Sequence, residues 1–488
     1  MRRQAGVAAG ARDTAAAAVE VLRAGGSAVD AVLAAGFAAT VAEPALSSLG
    51  GGGFLLHAPA DGEAVLVDFF VDVPGRGRPA DAAAPVMTPI TIRFPGAEQT
   101  FSAGWGSVAV PGCLAGYLHV SQHLGRLPLT DVVEPARRLA CEGAVLEASQ
   151  ASVLTLLRDI VTLTEDGRRL CAPEGRLLGA GDRLYNPDFA DLLTRLAVGD
   201  VTDLTGVADD LEQVMVSGGG AVTRDDLDTY TVVERAPLQL EFGGATVRSN
   251  PAPSFGAGLV LGALGALADE PPLDGSPAAY RRYVRQLVAM SDRHAAGAGA
   301  NRPLAVRGTT HISVIDADGN VAGLTTSNGS CSGTFIPGTG IQLNNMMGES
   351  DLHPAGRDVA SPGMRVGSMM MPTVLSGVDG TVSAVGTGGS ERIPSAMLRV
   401  LTGLLDPREP LAAVVAAPRL HWDRTALQLE PGLPDDVVAA LAAEQPVRLW
   451  KQRDMYFGGT HAVTRHPDGR VEAVADLRRG GAAYVVDL

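Results

Sequence analysis

Residues 307–330, RGTTHISVIDADGNVAGLTTSNGS, hold groups whose types and spacing could do chemistry. Gly308 precedes two threonines, and a run rich in β-branched residues follows from His311 to Ile315. The turn chemistry of Asp316 to Asn320 separates that run from a second one, Val321 to Ser327, which predicts a hairpin. Upstream, residues 295–306 read AAGAGANRPLAV, with no helix or strand period, which predicts a loop. Thr309 then sits where a loop meets a strand. One reading is a plain strand start, because Thr is enriched in strands. The other is self-cleavage. If the bond between Gly308 and Thr309 breaks, Thr309 becomes an N-terminus whose α-amine, of ordinary pKa about 7.7–8.0, is a base for its own hydroxyl. Gly308 suits such a bond, since without Cβ it tolerates unusual backbone and lets a hydroxyl approach the carbonyl. Spacing alone leaves both readings open.

The elements that must position this pair begin with Ala-rich helices. DTAAAAVEVLRAGGSAVDAVLAAGFAATVAEP has apolar residues at helical spacing, broken at Gly25-Gly26. Four glycines, Gly50 to Gly53, then lead into β-like stretches at Phe54 to Ala58 and Ala64 to Phe70. No G-K-[ST] follows, and the glycines open a strand instead of a helix, so they predict close backbone packing, not a phosphate loop. From about Gly112 to Met215 the pattern is helical. His119 and His123 lie at i, i+4 there, but no H-E-x-x-H glutamate accompanies them, which predicts a solvated helix face. Thr223 can cap a helix whose first turn holds Asp225 and Asp226. A strand from Leu238, a helix over Ala278 to His294, and a mostly β remainder with two or three helices complete the pattern.

With 488 residues and 46% apolar content the chain can bury a large core, and a net charge of −15 argues against nucleic acid as a partner. Arg12, Asp13 and Glu20 break the apolar start, and no window of eighteen uninterrupted apolar residues occurs, which predicts neither a signal peptide nor a membrane partner. Cys113, Cys141, Cys171 and Cys331 are widely spaced, so free thiols in the cytoplasm are expected. Neither a repeat nor a Pro/Ser-rich linker divides the chain.

Seven stretches resemble, in order, the signature segments of the γ-glutamyltransferase (γ-glutamyltranspeptidase) family: VLRAGGSAVDAVLAA, EPALSSLGGGGFLL, GSVAVPG, GGAVTRDDLDTYTVVERAPL, GTTHISVIDADGNVAGLTT, PGTGIQLNNMM and GTGGSERI. The resemblance implies an α+β fold, the four-layer αββα sandwich of N-terminal nucleophile (Ntn) hydrolases. It implies cleavage between Gly308 and Thr309 into a large subunit, 1–308, and a small one, 309–488, which stay together as a heterodimer in one domain. Thr309 matches the nucleophile. Ser327 falls where the family usually has a second threonine bonded to the new amine. Gly388 and Gly389 match the glycine pair whose N–H groups stabilise an oxyanion.

Other positions depart from the family's pattern. Phe70 stands where glutamyl-processing members carry the arginine that binds the substrate's α-carboxylate, and an unpaired carboxylate against an aromatic ring is costly. After Asn345, the glutamine and paired aspartates that hold the substrate's amino group become Met346 and Gly348-Glu349, and a serine pair becomes Gly367-Ser368. The resemblance with these departures implies a self-processing hydrolase or acyltransferase that handles a small-molecule substrate, a γ-glutamyl-like or other amide, through an acyl-Thr intermediate. Cleavage of a C–C bond in a keto substrate of a natural-product pathway, and a non-enzymatic binding relative, are the alternatives. No metal or organic cofactor is implied, because a Thr amine and an oxyanion hole suffice for acyl transfer.

Overall fold

Helices form over Arg12–Arg23 and Ala28–Ala42, either side of the Gly25-Gly26 break, in this computed structural model, which describes residues 3–79, 81–94, 97–207, 211–268, 270, 274–296, 308–349, 352–353, 360–406 and 408–488. Ser27 starts the second helix with a reciprocal capping box: its hydroxyl accepts from the Asp30 N–H, and the Asp30 carboxylate accepts from the Ser27 N–H. That helix is buried along its whole length save Thr40. An Ala-rich sequence suits such a place, because small side chains let a helix lie between neighbours on several sides.

Among the described residues the main strands form two antiparallel sheets. The first has seven strands in the order Ala482–Asp487, Gln4–Ala9, Gly308–Ile315, Val321–Gly329, Gly52–Ala58, Val65–Phe69, Val233–Arg235. The second has six: Val471–Ala475, Gly459–Arg465, Val382–Gly388, Thr373–Gly377, Ala245–Ser249, Leu238–Phe242. They stack face to face. Helices Arg12–Arg23 and Ala28–Ala42 cover the outer face of the first, and Gly256–Leu267 and Ile393–Leu404 pack on the second. This is the αββα order of an Ntn hydrolase.

The pleat of Gly308–Ile315 sorts its side chains by a period of two. Ile312 and Val314 join the core beneath the first helices. His311 and Ser313 face the second sheet, where a Cβ on Gly386 would meet the His311 ring and the Ser313 hydroxyl donates to the His461 carbonyl at 3.1 Å. Thr309 shares the second face and Thr310 the first.

The glycine run is a packing device, as its position before a strand predicts. A Cβ on Gly50 would strike the Gln342 carbonyl, one on Gly51 the Ser327 carbonyl, and one on Gly53 would lie 2.6 Å from the Thr325 oxygen. Thr223 caps Arg224–Thr229 in a box with Asp226. The strands run Gly52–Ala58 and Val65–Phe69 where Phe54 to Ala58 and Ala64 to Phe70 are expected, and the later helix runs Pro277–Ala296. The all-helical reading of residues 112–215 needs correction: Ala144–Val145 and Arg183–Leu184 pair as a short ladder, entered through Gly143 at φ 84°. A further hairpin, Thr88–Phe94 with Ala97–Ala103, adds to the expected elements; Ile90, Ile92 and Phe94 alternating with Thr91 and Arg93 were its signal in the sequence. The strand holding Thr309 begins at Gly308 itself, and residues 297–307 of the expected loop lie outside the described residues. Among the described residues no helix is long and apolar enough to cross a membrane.

Gly51→Ala is expected to lower stability by about 1–3 kcal/mol or more, because its Cβ meets backbone that cannot rotate away. A denaturant midpoint equal to that of the wild type would refute this.

Candidate active site

Thr309 opposes Ser327 in the ladder, and the register shifts between Gly308 and Thr309. Such an irregularity re-aims a side chain. The Thr309 hydroxyl donates to Ser327 Oγ at 3.2 Å, and Ser327 Oγ donates to the Gly308 carbonyl at 2.6 Å. Ser327 also accepts from the Gly329 N–H at 3.1 Å. One hydroxyl thus touches both the Thr309 hydroxyl and the carbonyl of the bond before it. Gly308 has no room for a side chain: a Cβ would strike the Ala45 carbonyl and lie 2.6 Å from the Gly329 carbonyl.

On the far side, a Cβ on Gly388 would run into the Thr309 carbonyl and come within 3.1 Å of Arg479 Nη1. Gly389 takes φ 135°, a region glycine adopts at low cost. Ser390 follows at φ 54°, unusual for a residue with a side chain, and it lines the cavity beside Thr309.

That cavity measures about 20 Å³ and is bordered by Thr309, Ser327, Glu349, Ser368 and Ser390 on its polar side. Phe70, Met346, Leu352, Met369, Met370 and Ile393 form the apolar wall. Phe70 is held by stacking on Phe54, with ring centroids 5.4 Å apart. Its carbonyl accepts from Tyr230 at 2.7 Å and from Arg365. Arg365 is itself committed to Asp72 at 3.1 Å and to the Thr231 carbonyl at 2.6 Å. Glu349 Oε1 accepts from the Ser330 N–H at 2.9 Å. Ser368 Oγ accepts from the Met370 N–H at 3.1 Å.

The structure therefore brings Thr309, Ser327, Phe70, Met346, Glu349 and Ser368 around one space, with Gly388 against the Thr309 carbonyl and Gly389 packed beside Gly458 and Arg479. Asn345 stands apart. Its Oδ1 accepts from the Ser330 N–H at 2.7 Å and its Nδ2 donates to the Ser102 carbonyl at 3.3 Å, so it braces the loop and does not border the cavity. His119 and His123 stack at 4.3 Å on a helix face, with His119 2.9 Å from Glu234. Among the described residues no group of three or more His, Cys, Asp or Glu side chains could hold a metal.

Two buried charged residues escape sequence reasoning. Glu43, at the end of helix Ala28–Ala42, is fully buried behind the strand that carries Thr309. Its Oε1 accepts from Thr14 at 2.7 Å, while its Oε2 and the Thr310 hydroxyl border the space that a Gly10 side chain would fill. Burial pushes its carboxyl up to about 7, tempered by the hydroxyls of Thr310 and Thr14. An acid inside the apolar run TVAEPAL was the available signal. The second residue is Arg479, 4% exposed, whose Nη1 donates to the Thr309 carbonyl at 3.1 Å.

Relatives place this geometry. The γ-glutamyltranspeptidase signature matches residues 14–290 and 276–486. The chain is 30% identical over 516 residues to the acylase ACY 1 proenzyme of Pseudomonas sp. (strain V22), covering 96% of this chain and 91% of that protein. It is 27% identical over 519 residues to the glutathione hydrolase proenzyme of Escherichia coli (strain K12), covering 94% and 88%. Its fold superimposes on the crystal structure of cephalosporin acylase from Bacillus halodurans with a TM-score of 0.85 at 23% identity, covering 99% of this chain and 96% of that one. The layered fold is that of the Ntn hydrolases, a class of enzymes. Within it, the chain belongs to the γ-glutamyltranspeptidase family.

Glu43 makes the fold sensitive to pH. Its folded value lies above the ordinary 4.5, so its protonated form favours the native state, and that contribution is lost as pH rises from about 4.5 through about 7. The loss is on the order of 3 kcal/mol. Relative to Glu43→Gln, the wild type is expected to lose stability across that window; parallel pH–stability curves for the two proteins would refute the assignment.

Proposed function

We propose that the chain is a self-processing hydrolase or acyltransferase that forms an acyl-Thr309 intermediate from an amide whose acyl group is compact and largely apolar. The observation that carries this reading is the apolar wall beside Thr309, in which Phe70 and three methionines face the nucleophile. A carboxylate placed there would lose its hydration, and no arginine or lysine borders the cavity among the described residues: Arg365 is engaged elsewhere and Arg479 is bound to the Thr309 carbonyl. Glu349 offers one acidic group, suited to an amine-bearing part of the substrate.

Maturation follows from the same atoms. Thr309 Oγ attacks the Gly308 carbonyl, whose oxygen already accepts from Ser327. The C–N bond breaks, the nitrogen takes a proton, and water hydrolyses the resulting ester to release residues 1–308 and a chain that begins at Thr309. At about 20 Å³ the cavity of the intact chain has room for roughly one water. In turnover the freed amine takes the Thr309 proton, and the N–H groups of Gly388 and Gly389 stabilise the oxyanion; such donors are worth about 3–4 kcal/mol each in other hydrolases.

The wild-type chain of 50.1 kDa is expected to run as two fragments, 1–308 and 309–488. Thr309→Ala should stay whole and Thr310→Ala should still be cut, because Thr310 points to the other face of the sheet. Intact mass and N-terminal sequencing decide this, and cleavage at any other bond would remove Thr309 from its role.

Anilides of short apolar acids are expected to be hydrolysed faster than a γ-glutamyl anilide or glutathione, by tenfold or more. A charge-assisted bond to a buried carboxylate is worth about 1.5–3 kcal/mol, and no arginine borders this cavity among the described residues. Efficient γ-glutamyl turnover would refute the apolar assignment, and an acyl ketone in the same panel tests for C–C cleavage.

A further inference from the structure

Arg479 ends a short turn, Leu477–Arg479, that brings the C-terminal part of the chain under the nucleophile. It makes one side-chain hydrogen bond, from Nη1 to the Thr309 carbonyl, and its Nε and Nη2 have no protein partner among the described residues. The same nitrogen lies against Gly388, and Nη2 lies 3.7 Å from where a Gly389 Cβ would be. An arginine this buried is expensive to place without a direct counter-ion.

The nearby charges do not neutralise it. Asp476, on the same turn, is bound by Arg419 and Arg478. Glu430 is paired with Arg478. Arg392, on the turn after Gly389, is fully buried over the Tyr456 ring at 4.9 Å, with Nη1 and Nη2 lacking protein partners among the described residues. From the neighbouring strand, His461 is held down to about 4 by burial, hence neutral. From the helix side, Glu43 is largely protonated below about 7. Glu147 faces Glu43 and is itself raised by burial. Burial, then the like charge of Arg392, lowers Arg479 to about 10, so it is still a cation at neutral pH. Glu349 lines the cavity on the other side of Thr309, where its Oε1 accepts from the Ser330 N–H, so the charge that touches the Thr309 backbone itself is the positive one of Arg479.

We propose that Arg479 is a positioning residue for the nucleophile: its guanidinium fixes the Thr309 carbonyl against Gly388, and its unneutralised charge keeps the amine freed at Thr309 in the neutral form that a base requires. This rests on the reading of Thr309 as the nucleophile. A nearby cation disfavours an ammonium. The neutral amine accepts the hydroxyl proton as Oγ bonds to the substrate carbonyl carbon, and the resulting ammonium gives that proton to the leaving nitrogen as the amide C–N bond breaks.

The test needs no substrate. Lys451 is the single lysine of the sequence, so the fragment that begins at Thr309 carries two amines. Carbamylation by cyanate, followed by peptide mass against pH, reads the Thr309 amine with Lys451 as internal reference. In the wild type its half-maximal reactivity is expected at least about one pH unit below the ordinary range of about 7.7–8.0. Arg479→Met should move it back into that range, while Arg479→Lys should stay low. A cleaved wild-type protein whose Thr309 amine titrates at or above the ordinary range overturns the proposal, as does a cleaved Arg479→Met chain with an unmoved curve. If Arg479→Met fails to mature, the wild-type and lysine curves decide. A wild-type chain that is never cut at Thr309 sinks the nucleophile reading and this proposal together, a result distinct from a cut chain with an ordinary amine.

Discussion

The pleat of one strand governs the site. Because successive side chains of Gly308–Ile315 leave opposite faces, Thr309 opens into the space between the sheets and Thr310 turns toward Glu43. Two adjacent residues of one type thereby have different surroundings, one beside an apolar cavity and glycine backbone, the other beside a buried acid. Glycines hold that arrangement by letting backbone touch backbone. Gly51 meets the carbonyl of Ser327, Gly308 that of Ala45, and Gly388 that of Thr309, so the strand is fixed along its start by atoms that have no rotamers to change.

Electrostatics adds a second level of order. The buried carboxylates Asp476 and Glu430 are bound to arginines. Glu43 has hydroxyl neighbours instead, and so remains free to take up or release a proton near neutrality. Arg392 and Arg479 sit without such partners close to the reactive end of the strand. The interior thus separates charges that serve cohesion from charges left uncompensated near Thr309.

Short-range chemistry made much of this legible. The hairpin around Thr309 and Ser327 follows from β-branched runs about an Asp-Gly turn, and the cap at Thr223 from the aspartates behind it. The glycine run announced backbone contact, though its partners, at Gln342 and Ser327, lie hundreds of residues on. Phe70, Met346, Glu349 and Ser368 border the cavity beside Thr309, whereas Asn345 bonds to the Ser330 N–H and the Ser102 carbonyl. Glu43 and Arg479 were not legible. They are 266 and 170 positions from Thr309, no periodicity links them to it, and only the closing of the first sheet brings them together.

The place of Gln4–Ala9 in that sheet carries a consequence for the separated pieces. It runs between Ala482–Asp487 and Gly308–Ile315, so a strand from the front of the chain is clasped on both edges by strands from its rear. The second sheet likewise mixes both parts, with Ala245–Ser249 paired to Thr373–Gly377. If the backbone is opened before Thr309 as proposed, the halves are interleaved and not merely docked, and parting them means tearing hydrogen-bonded ladders out of two sheet interiors. Renaturation of the separated halves then becomes a bimolecular reaction, dependent on dilution, where the uncut precursor folds in one molecule.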